Sequence, residues 1–291
     1  SLYLDRLLKN SNIKIANKDE KYKNIIEKID NKNIEEHMKL PEKLNANLRT
    51  YQQIGFEWLK TLDSYKFGGI LADDMGLGKT LQLVSVILSY VEQTQNPKTT
   101  LVVCPSSLTL NWYNEINKFA PNLTVQVING GIKERKNKIN QLENYNIVIV
   151  SYDVLKRDID EYKEKDYEFK YIIADEAQYI KNNNTQNFKA IKEIISETRY
   201  ALTGTPIENS LSELWSIFDF VMPGYLFSYK KFKELYENPI VKGEDTEAMK
   251  KLKMLIEPFI LRRIKEEVLR LAAPMFDCSY DDLKQRHRER A

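Results

Sequence analysis

The sequence predicts an α/β protein whose mainly parallel β-sheet is covered by helices on both faces. Short apolar runs of strand length occur at residues 69–72, 100–104, 125–128, 146–151, 171–174 and 199–202. Stretches of helical length separate most of them, including residues 81–91, 110–119 and 188–195. Strands that alternate with helices in this way form parallel sheets with both faces buried. Ligands of such sheets bind outside the carboxyl ends of the strands, so the residues after each run are the candidates for function.

Composition excludes several classes of protein. The chain has 291 residues, of which 30% are charged and 42% hydrophobic, and its formal net charge is +2. It contains no run of about 18 uncharged apolar residues, so we expect no membrane span and no membrane partner. Cys104, Cys278, His37 and His287 lack the spacing of a disulfide framework or a zinc site, which favours a reducing, cytoplasmic location. A net charge near zero gives no argument for a nucleic-acid partner.

Three regions are predicted along the chain. Residues 1–45 are rich in Lys, Asn and Glu and predict a helical lead-in or linker. Residues 46–270 begin with an amphipathic helix at 48–62 and predict one domain. Residues 271–291 favour Arg over Lys and match no expected pattern, so we interpret them as a vector-derived, frame-shifted or unrelated tail. The chain begins with Ser1 rather than Met, and we expect it to be a piece of a longer protein.

A glycine-rich loop follows the first predicted strand. The eight residues from Asp73 to Thr80 read DDMGLGKT and lead into an apolar helix, which is the strand–loop–helix layout of a P-loop. Gly76 and Gly78 let the backbone approach a phosphate closely. Lys79 can reach the β- and γ-phosphates, and the Thr80 hydroxyl can bind Mg²⁺. The general pattern has Gly where this chain has Asp73, and an incidental glycine-rich turn before a helix is the alternative.

An acidic pair, Asp175 and Glu176, follows the strand predicted at residues 171–174. In a P-loop enzyme, an acid at a strand end completes the coordination of Mg²⁺, and Asp175 fits that role. Glu176 is placed to orient or deprotonate the attacking water. An isolated pair of this kind is more often a helix N-cap or a solvated turn. Its occurrence after the P-loop, in the right order, favours ATP hydrolysis assisted by Mg²⁺.

These segments resemble the first RecA-like lobe of a Swi/Snf-type ATPase of bacterial type, within helicase superfamily two. The segment from Asp73 to Thr80 matches that family's variant of the P-loop, which accounts for Asp73. The other matching segments are residues 48–52 with Gly55 and 58–59 (the adenine-sensing Q motif), 103–108 with Asn111, Trp112 and Glu115 (motif Ia), 151–152 (motif Ib), 175–178 (motif II) and 202–209, continuing to 214–215 (motif III). The resemblance runs from Leu48 to Val268 and implies a RecA-like three-layer sandwich.

The resemblance implies a role for each segment. The nucleotide would be held by Arg49, Gln52, Asp74, Met75, Gly76, Leu77, Gly78, Lys79 and Thr80, with Gln52 on the adenine edge. Coupling between ATP and DNA would involve Gln178, Thr203, Gly204 and Thr205. The DNA backbone would be contacted by Ser106, Ser107, Asn111, Ser151 and Tyr152, because hydroxyls and amides bind phosphates without reading bases. Helix capping is the alternative for the two adjacent serines, and Trp112 and Trp215 are expected to pack rather than to stack on bases.

Residues 225–257 form a lysine-rich segment that resembles the helical protrusion of the family. A basic helix is usually a solvated face, which we favour slightly over direct contact with DNA. The family continues into a second RecA-like lobe, which is absent from this chain and would be its partner. That lobe supplies the arginines of the transition state, worth roughly 10³–10⁵ in rate. We therefore expect the fragment to bind nucleotide weakly and to hydrolyse it negligibly.

The resemblance implies a double-stranded-DNA-stimulated ATPase and translocase that remodels protein–DNA complexes and is associated with the nucleoid. ATP and Mg²⁺ are the implied cofactors, and double-stranded DNA is the implied partner through its phosphate backbone. One alternative is the lobe of a strand-separating helicase or of a restriction-type translocase. The other is a non-catalytic module that docks nucleotide or DNA.

Overall fold

The computed structural model describes residues 39–204 and 210–266. In these residues a seven-stranded sheet lies between two layers of helices. The strands are β1 (Gly69–Leu71), β2 (Thr100–Cys104), β3 (Val125–Ile128), β4 (Ile147–Ser151), β5 (Phe169–Ala174), β6 (Ser196–Leu202) and β7 (Ile260–Leu261). Their order across the sheet is β3-β4-β2-β5-β6-β1-β7, and every neighbouring pair is parallel. The predicted RecA-like α/β class is confirmed.

Helices connect the strands. They are α1 (Thr50–Ser64), α2 (Lys79–Gln93), α3 (Thr109–Phe119), α4 (Ile132–Ile139), α5 (Tyr152–Arg157), α6 (Ile159–Lys165), α7 (Gln186–Glu193), α8 (Leu211–Val221), α9 (Tyr229–Phe232), α10 (Asn238–Gly243) and α11 (Thr246–Ile256). Short 3₁₀ turns lie at Ser106–Leu108, Leu142–Asn144, Ala177–Ile180 and Glu257–Phe259, and one π turn lies at Lys233–Glu237. None of the described helices is both long enough and apolar enough to cross a membrane.

Strands β1, β2, β4 and β5 are buried along their whole length because they are largely apolar. Alternate residues of β2 point to opposite sides: Leu101 and Val103 join one hydrophobic cluster, and Val102 and Cys104 join the other. The second cluster includes side chains of α1, α2 and α3, whereas the first includes side chains of α5 to α8. This two-sided burial explains why the strands read as continuous apolar runs rather than as an alternating pattern.

The observed elements follow the predicted ones closely, with differences at their ends. All six predicted strands are present, and β7 adds a seventh at the edge beside β1. Strands β5 and β6 begin earlier than predicted, at Phe169 and Ser196. Helix α7 ends at Glu193, two residues before the predicted end.

The lysine-rich segment at 225–257 is helical, as predicted, and packs on the lobe through buried side chains that include Phe232, Tyr236, Leu252 and Leu255. Its lysines are exposed: Lys230, Lys231, Lys233, Lys242, Lys250, Lys251 and Lys253. Most of the predicted lead-in, together with Thr205 and the predicted tail at 271–291, lies outside the described residues.

Candidate nucleotide-binding site

The predicted P-loop connects the end of β1 to the start of α2. Gly76 and Gly78 have positive φ angles of 85° and 76°, a region that residues with a Cβ atom rarely adopt. A Cβ atom on Gly78 would also overlap Nε2 of Gln52. Glycine at position 78 is therefore required both by the backbone angle and by the close approach of the helix that carries Gln52.

Lys79 is the first residue of helix α2, and its side chain reaches back to the start of the loop. Its ammonium donates hydrogen bonds to the carbonyls of Asp73, at 2.7 Å, and Asp74, at 3.4 Å. Burial lowers the pKa of Lys79, although the carboxylates of Asp73, Asp175 and Glu176 act in the opposite direction. A partly buried cation that faces the loop is suited to a phosphate.

Gln52, from the predicted adenine-sensing segment, contacts the loop directly. The Oε1 atom of Gln52 accepts a hydrogen bond from the backbone N–H of Arg49, at 2.9 Å, which ties the side chain to the start of α1. Its Nε2 atom donates to the carbonyl of Leu77, at 3.1 Å. Gln52 is buried and Arg49 is exposed. Gln52 thus supports the P-loop directly, and its predicted contact with adenine stays a prediction.

Asp175 lies just beyond the end of β5 and is held by hydrogen bonds at four of its atoms. The indole N–H of Trp112 donates to Oδ2 at 2.8 Å, and the backbone N–H of Glu176 donates to Oδ1 at 2.9 Å. The hydroxyl of Tyr152 donates to its carbonyl at 2.8 Å, and its own N–H donates to the carbonyl of Val103 at 2.8 Å. Burial raises the pKa of Asp175, while the Trp112 bond acts to lower it.

Glu176 follows with a strained backbone. Its φ angle is 51°, in the left-handed region, which is uncommon for a residue with a Cβ atom. Its carboxylate accepts a hydrogen bond from Nε2 of Gln178 at 2.7 Å. The other amide atom of Gln178, Oε1, is buried without a hydrogen-bond partner among the described residues. The predicted base is thus oriented by the predicted coupling residue, two positions along the chain.

The oxygen atoms at this edge of the sheet suit a magnesium ion that is also bound by the phosphates of a substrate. The hydroxyl of Thr80 and the carboxylate of Asp175 are oxygen ligands of the kind that Mg²⁺ prefers. The described residues contain no cluster of three or more His, Cys, Asp or Glu side chains able to hold a metal by themselves. Mg²⁺ is commonly held by one or two carboxylates together with substrate phosphates and waters, which matches this sparse set.

The segments predicted to contact DNA differ in their exposure. Ser106 and Ser107 lie after β2, Asn111 lies at the start of α3, and all three are exposed. Neither the 3₁₀ turn of the two serines nor α3 has a side-chain N-cap, so helix capping does not account for these serines. Ser151 is different, because its hydroxyl accepts a hydrogen bond from the N–H of Val154 and caps α5.

Tyr152 differs from its predicted role as a phosphate contact. Its side chain is only 2% exposed, its ring stacks on Tyr179 with 5.2 Å between centroids, and its hydroxyl is bonded to Asp175. The ring belongs to the hydrophobic cluster on one face of the sheet, and the buried hydroxyl finds its partner inside the protein. The structure thus gives Tyr152 an internal role as a support of motif II.

The predicted coupling residues after β6 lie beside the P-loop. The N–H of Thr203 donates to the carbonyl of Leu71 at 3.2 Å, which continues the pairing of β6 with β1. A Cβ atom on Gly204 would lie 3.0 Å from Met75 and 3.8 Å from Nζ of Lys79, so glycine allows the two loops to approach. Thr205, the remaining residue of this set, lies outside the described residues.

Two supports of the site were not anticipated as such. Trp112 is buried, as expected, but it also orients the carboxylate predicted to bind Mg²⁺, which an expectation of packing alone does not include. Arg263 forms an ion pair with the buried Asp73 of the P-loop. The signal for Arg263 was the carboxylate that replaces glycine, because an acid at a buried position requires a cationic or hydrogen-bonding partner.

Comparisons with known proteins agree with this geometry. The model of the SNF2-related domain matches residues 51–289, beyond Val268, where the resemblance of the motifs ends. An uncharacterised ATP-dependent helicase of Mycoplasma genitalium is 41% identical over 254 residues, which cover 87% of this chain and 24% of that protein. The TATA-binding protein-associated factor MOT1 of Saccharomyces cerevisiae is 40% identical over 273 residues, which cover 85% of this chain and 14% of that protein.

Solved structures give the same result. The SWI2/SNF2 ATPase core of Sulfolobus solfataricus in complex with double-stranded DNA superposes with a TM-score of 0.72 at 47% identity, over 79% of this chain and 47% of that chain. The present chain spans about a quarter or less of the length of the two curated relatives. The matched domain, the parallel sheet and the P-loop with its acidic partner together place the chain in the SNF2-related family, as a Swi/Snf-type member of helicase superfamily two.

Proposed function

We propose that this chain is the ATP-binding lobe of a double-stranded-DNA-stimulated ATPase that translocates on the duplex and remodels protein–DNA complexes. The observation that carries the proposal is the set of hydrogen bonds around Asp175. Trp112 and Tyr152, which hold this residue, come from the two segments that resemble DNA-contacting motifs. A change at those segments therefore has a direct physical route to the carboxylate that would bind Mg²⁺.

The residues of the site divide the chemistry of hydrolysis among them. Lys79 and the backbone of the P-loop would bind the phosphates, and Thr80 and Asp175 would hold Mg²⁺. When bound, Mg²⁺ neutralises charge on the phosphate oxygens. Glu176, oriented by Gln178, would position the attacking water and accept its proton. Phosphoryl transfer depends mainly on such positioning and on electrostatic stabilisation, so this arrangement supports ATP as the substrate.

Double-stranded DNA is the partner that we propose. The similar structure from Sulfolobus solfataricus is a complex with double-stranded DNA. In the present chain, Ser106, Ser107 and Asn111 are exposed at the carboxyl edge of the sheet. Short polar side chains of this kind bind phosphates and carry no base readout, which suits a motor that moves along any sequence.

The complete catalytic centre would need a second RecA-like lobe. The family supplies its transition-state arginines from that lobe, and such an arginine is worth roughly 10³–10⁵ in rate. We therefore propose that the 291-residue chain binds nucleotide weakly and turns it over negligibly, whereas the natural protein that contains it turns it over rapidly on DNA.

The test is steady-state ATP hydrolysis by the natural protein without DNA, with duplex DNA and with single-stranded DNA. The proposal expects strong stimulation by the duplex, and loss of turnover in Glu176→Gln. Equal stimulation by single strands, together with displacement of a labelled strand, would instead identify a strand-separating helicase. ATP binding without turnover under any condition would identify a docking module.

A further inference from the structure

Four residues, none of them assigned a catalytic role above, form a cluster beside the P-loop. We call Tyr51, Asp73, Gln82 and Arg263 the Arg263 cluster. Asp73 is fully buried at the end of β1, at the position where the general P-loop pattern has glycine. The guanidinium of Arg263 forms a two-pronged pair with its carboxylate, with 2.9 Å between Nε and Oδ1 and a second bond from Nη2 to Oδ2.

The same guanidinium connects two further elements. It donates to the backbone carbonyl of Tyr51 on α1 and, at 2.7 Å, to Oε1 of Gln82 on α2. It also lies over the ring of Tyr51, with 5.3 Å between the guanidinium carbon and the ring centroid. Nε2 of Gln82 donates to Asp73 at 3.4 Å and to the carbonyl of Gly78 at 3.3 Å. One arginine thus links helix α1, the P-loop and helix α2.

Arg263 belongs to the segment at residues 260–265, which we call the closing segment. It begins as β7, which pairs with β1, and it then runs alongside the P-loop. The N–H of Asp74 donates to the carbonyl of Arg263 at 3.1 Å, and the N–H of Lys265 donates to Oδ2 of Asp74 at 2.9 Å. Both acids that begin the P-loop are therefore bonded to the closing segment, Asp73 through its side-chain pair and Asp74 through backbone groups of the segment.

The buried charge of Asp73 would disfavour nucleotide binding if it had no partner. A buried carboxylate next to the place where nucleotide phosphates bind repels them unless it is neutralised. A buried ion pair is also weak evidence for stability, because apolar residues of similar volume often serve as well or better. A lysine would be no substitute for Arg263, because the planar fork of a guanidinium is needed to reach three partners at once.

We propose that Arg263 is a positioning residue that couples nucleotide binding to the closing segment. It neutralises Asp73 so that the P-loop accepts phosphates, and it fixes the segment to the loop so that occupancy of the loop is transmitted along the chain. The inference rests on the proposed binding of nucleotide at the P-loop. By linkage, the coupling acts in both directions, so that the closing segment also sets the affinity for nucleotide.

The experiment compares four forms of the 291-residue chain: wild type, Arg263→Met, Asp73→Asn and the double variant. A fluorescent ATP analogue with Mg²⁺ reports affinity, and circular dichroism selects a temperature at which every form is folded. We expect Arg263→Met to bind at least about fivefold more weakly, the lower end of typical coupling. The double variant should recover affinity, because no unpaired buried charge is left beside the phosphates.

Hydrogen exchange distinguishes the proposed coupling from a purely structural role of Arg263. In the wild type, the nucleotide analogue should slow exchange of the amides of Asp74 and Lys265, and in Arg263→Met this protection should be lost. Arg135→Met is the matched control, because Arg135 forms a two-pronged buried pair with Asp158, with contacts of 2.6 and 2.8 Å, beside the opposite edge of the sheet. It should reduce stability without changing either readout.

The outcomes separate this inference from the proposed function. Wild-type affinity in Arg263→Met, or equal losses in Arg135→Met and Arg263→Met, would overturn the coupling. Failure of the double variant to recover would overturn the neutralising role. Failure of the wild type to bind the analogue at all would instead refute the proposed function.

Discussion

Replacing Trp112 by phenylalanine tests how the carboxylate proposed to bind Mg²⁺ is held. Trp112 is 1% exposed, and its indole N–H is the donor to Oδ2 of Asp175 at 2.8 Å. Phenylalanine keeps an aromatic ring in the same pocket and removes only the N–H and part of the ring. The substitution therefore leaves one oxygen of a buried carboxylate without its partner.

The magnitude follows from the two losses. A hydrogen bond to a charged group contributes about 1.5–3 kcal/mol to stability, and the smaller ring loses roughly 1–2 kcal/mol of packing. We expect Trp112→Phe to lower the free energy of unfolding by about 2.5–5 kcal/mol. Because the lost bond acts to lower the pKa of Asp175, that pKa rises further, and the apparent affinity for Mg²⁺ falls most at low pH.

Two measurements separate stability from metal binding. Urea denaturation gives the first, and titration of Mg²⁺ into the chain saturated with a fluorescent ATP analogue gives the second. Loss of a residue that orients a metal ligand typically weakens metal binding about 10–100-fold, and we expect Trp112→Phe to fall in that range.

Trp215→Phe is the matched control for this substitution. Trp215 is also buried, and its indole donates to a neutral acceptor, the carbonyl of Phe227, at 3.2 Å. Its loss should lower stability by about 1.5–3.5 kcal/mol, because a neutral hydrogen bond contributes about 0.5–1.5 kcal/mol and the loss of packing from the smaller ring is the same. The affinity for Mg²⁺ should not change. The role of Trp112 is refuted if Trp112→Phe binds Mg²⁺ as tightly as wild type, or if both variants weaken it equally.

Three further substitutions test other features of the molecule. Gly78→Ala should destabilise the P-loop by at least about 1–2 kcal/mol, because the left-handed backbone disfavours a Cβ atom and Gln52 occupies its space; unchanged stability and nucleotide affinity in thermal melts and titrations would contradict this. Tyr152→Phe should lower stability by about 0.5–1.5 kcal/mol, because the carbonyl of Asp175 loses its hydrogen bond, and should leave DNA affinity unchanged in a gel-shift assay. Weaker DNA binding at equal stability would instead support the predicted contact of Tyr152 with a phosphate. Glu197→Gln tests a pH dependence: partial burial opposes the charge of Glu197, but hydrogen bonds from two lysines outweigh it and hold the pKa below its ordinary value. Its stabilisation is therefore present above the unfolded-state pKa, about 4.3, and is lost as the pH falls through the lower folded-state value. Wild type should be more stable than the variant at pH 7, and the difference should shrink at acidic pH. A difference in urea midpoints that does not change with pH would contradict this role of Glu197.

The sequence predicted the sheet well because most of its strands are buried on both faces and stand out as apolar runs. It missed the start of β5 because Lys170 interrupts the pattern. The structure buries this lysine by pairing it with Asp63, at 2.8 Å, and with Glu197, at 3.2 Å. Strand β7 has only two residues, and its identity depends on its pairing with β1 rather than on its own composition.

The site shows the same division between local and distant information. Lys79, Thr80 and Asp175 could be predicted because the P-loop and the acidic pair are short, contiguous patterns. Their supports come from far along the chain: Trp112 lies 63 residues before Asp175, and Arg263 lies 190 residues after Asp73. Contacts of that kind follow from the order of the strands, which no local pattern encodes.

The most direct test of the proposed nucleotide site is a titration of a fluorescent ATP analogue into the 291-residue chain, with and without Mg²⁺, in wild type and in Lys79→Ala. The ammonium of Lys79 lies 2.7 Å from the carbonyl of Asp73, and Thr80 and Asp175 are the proposed oxygen ligands of Mg²⁺. We expect saturable binding that Mg²⁺ strengthens and that Lys79→Ala abolishes. Binding whose affinity changes neither with Mg²⁺ nor with Lys79→Ala would contradict the proposed nucleotide site.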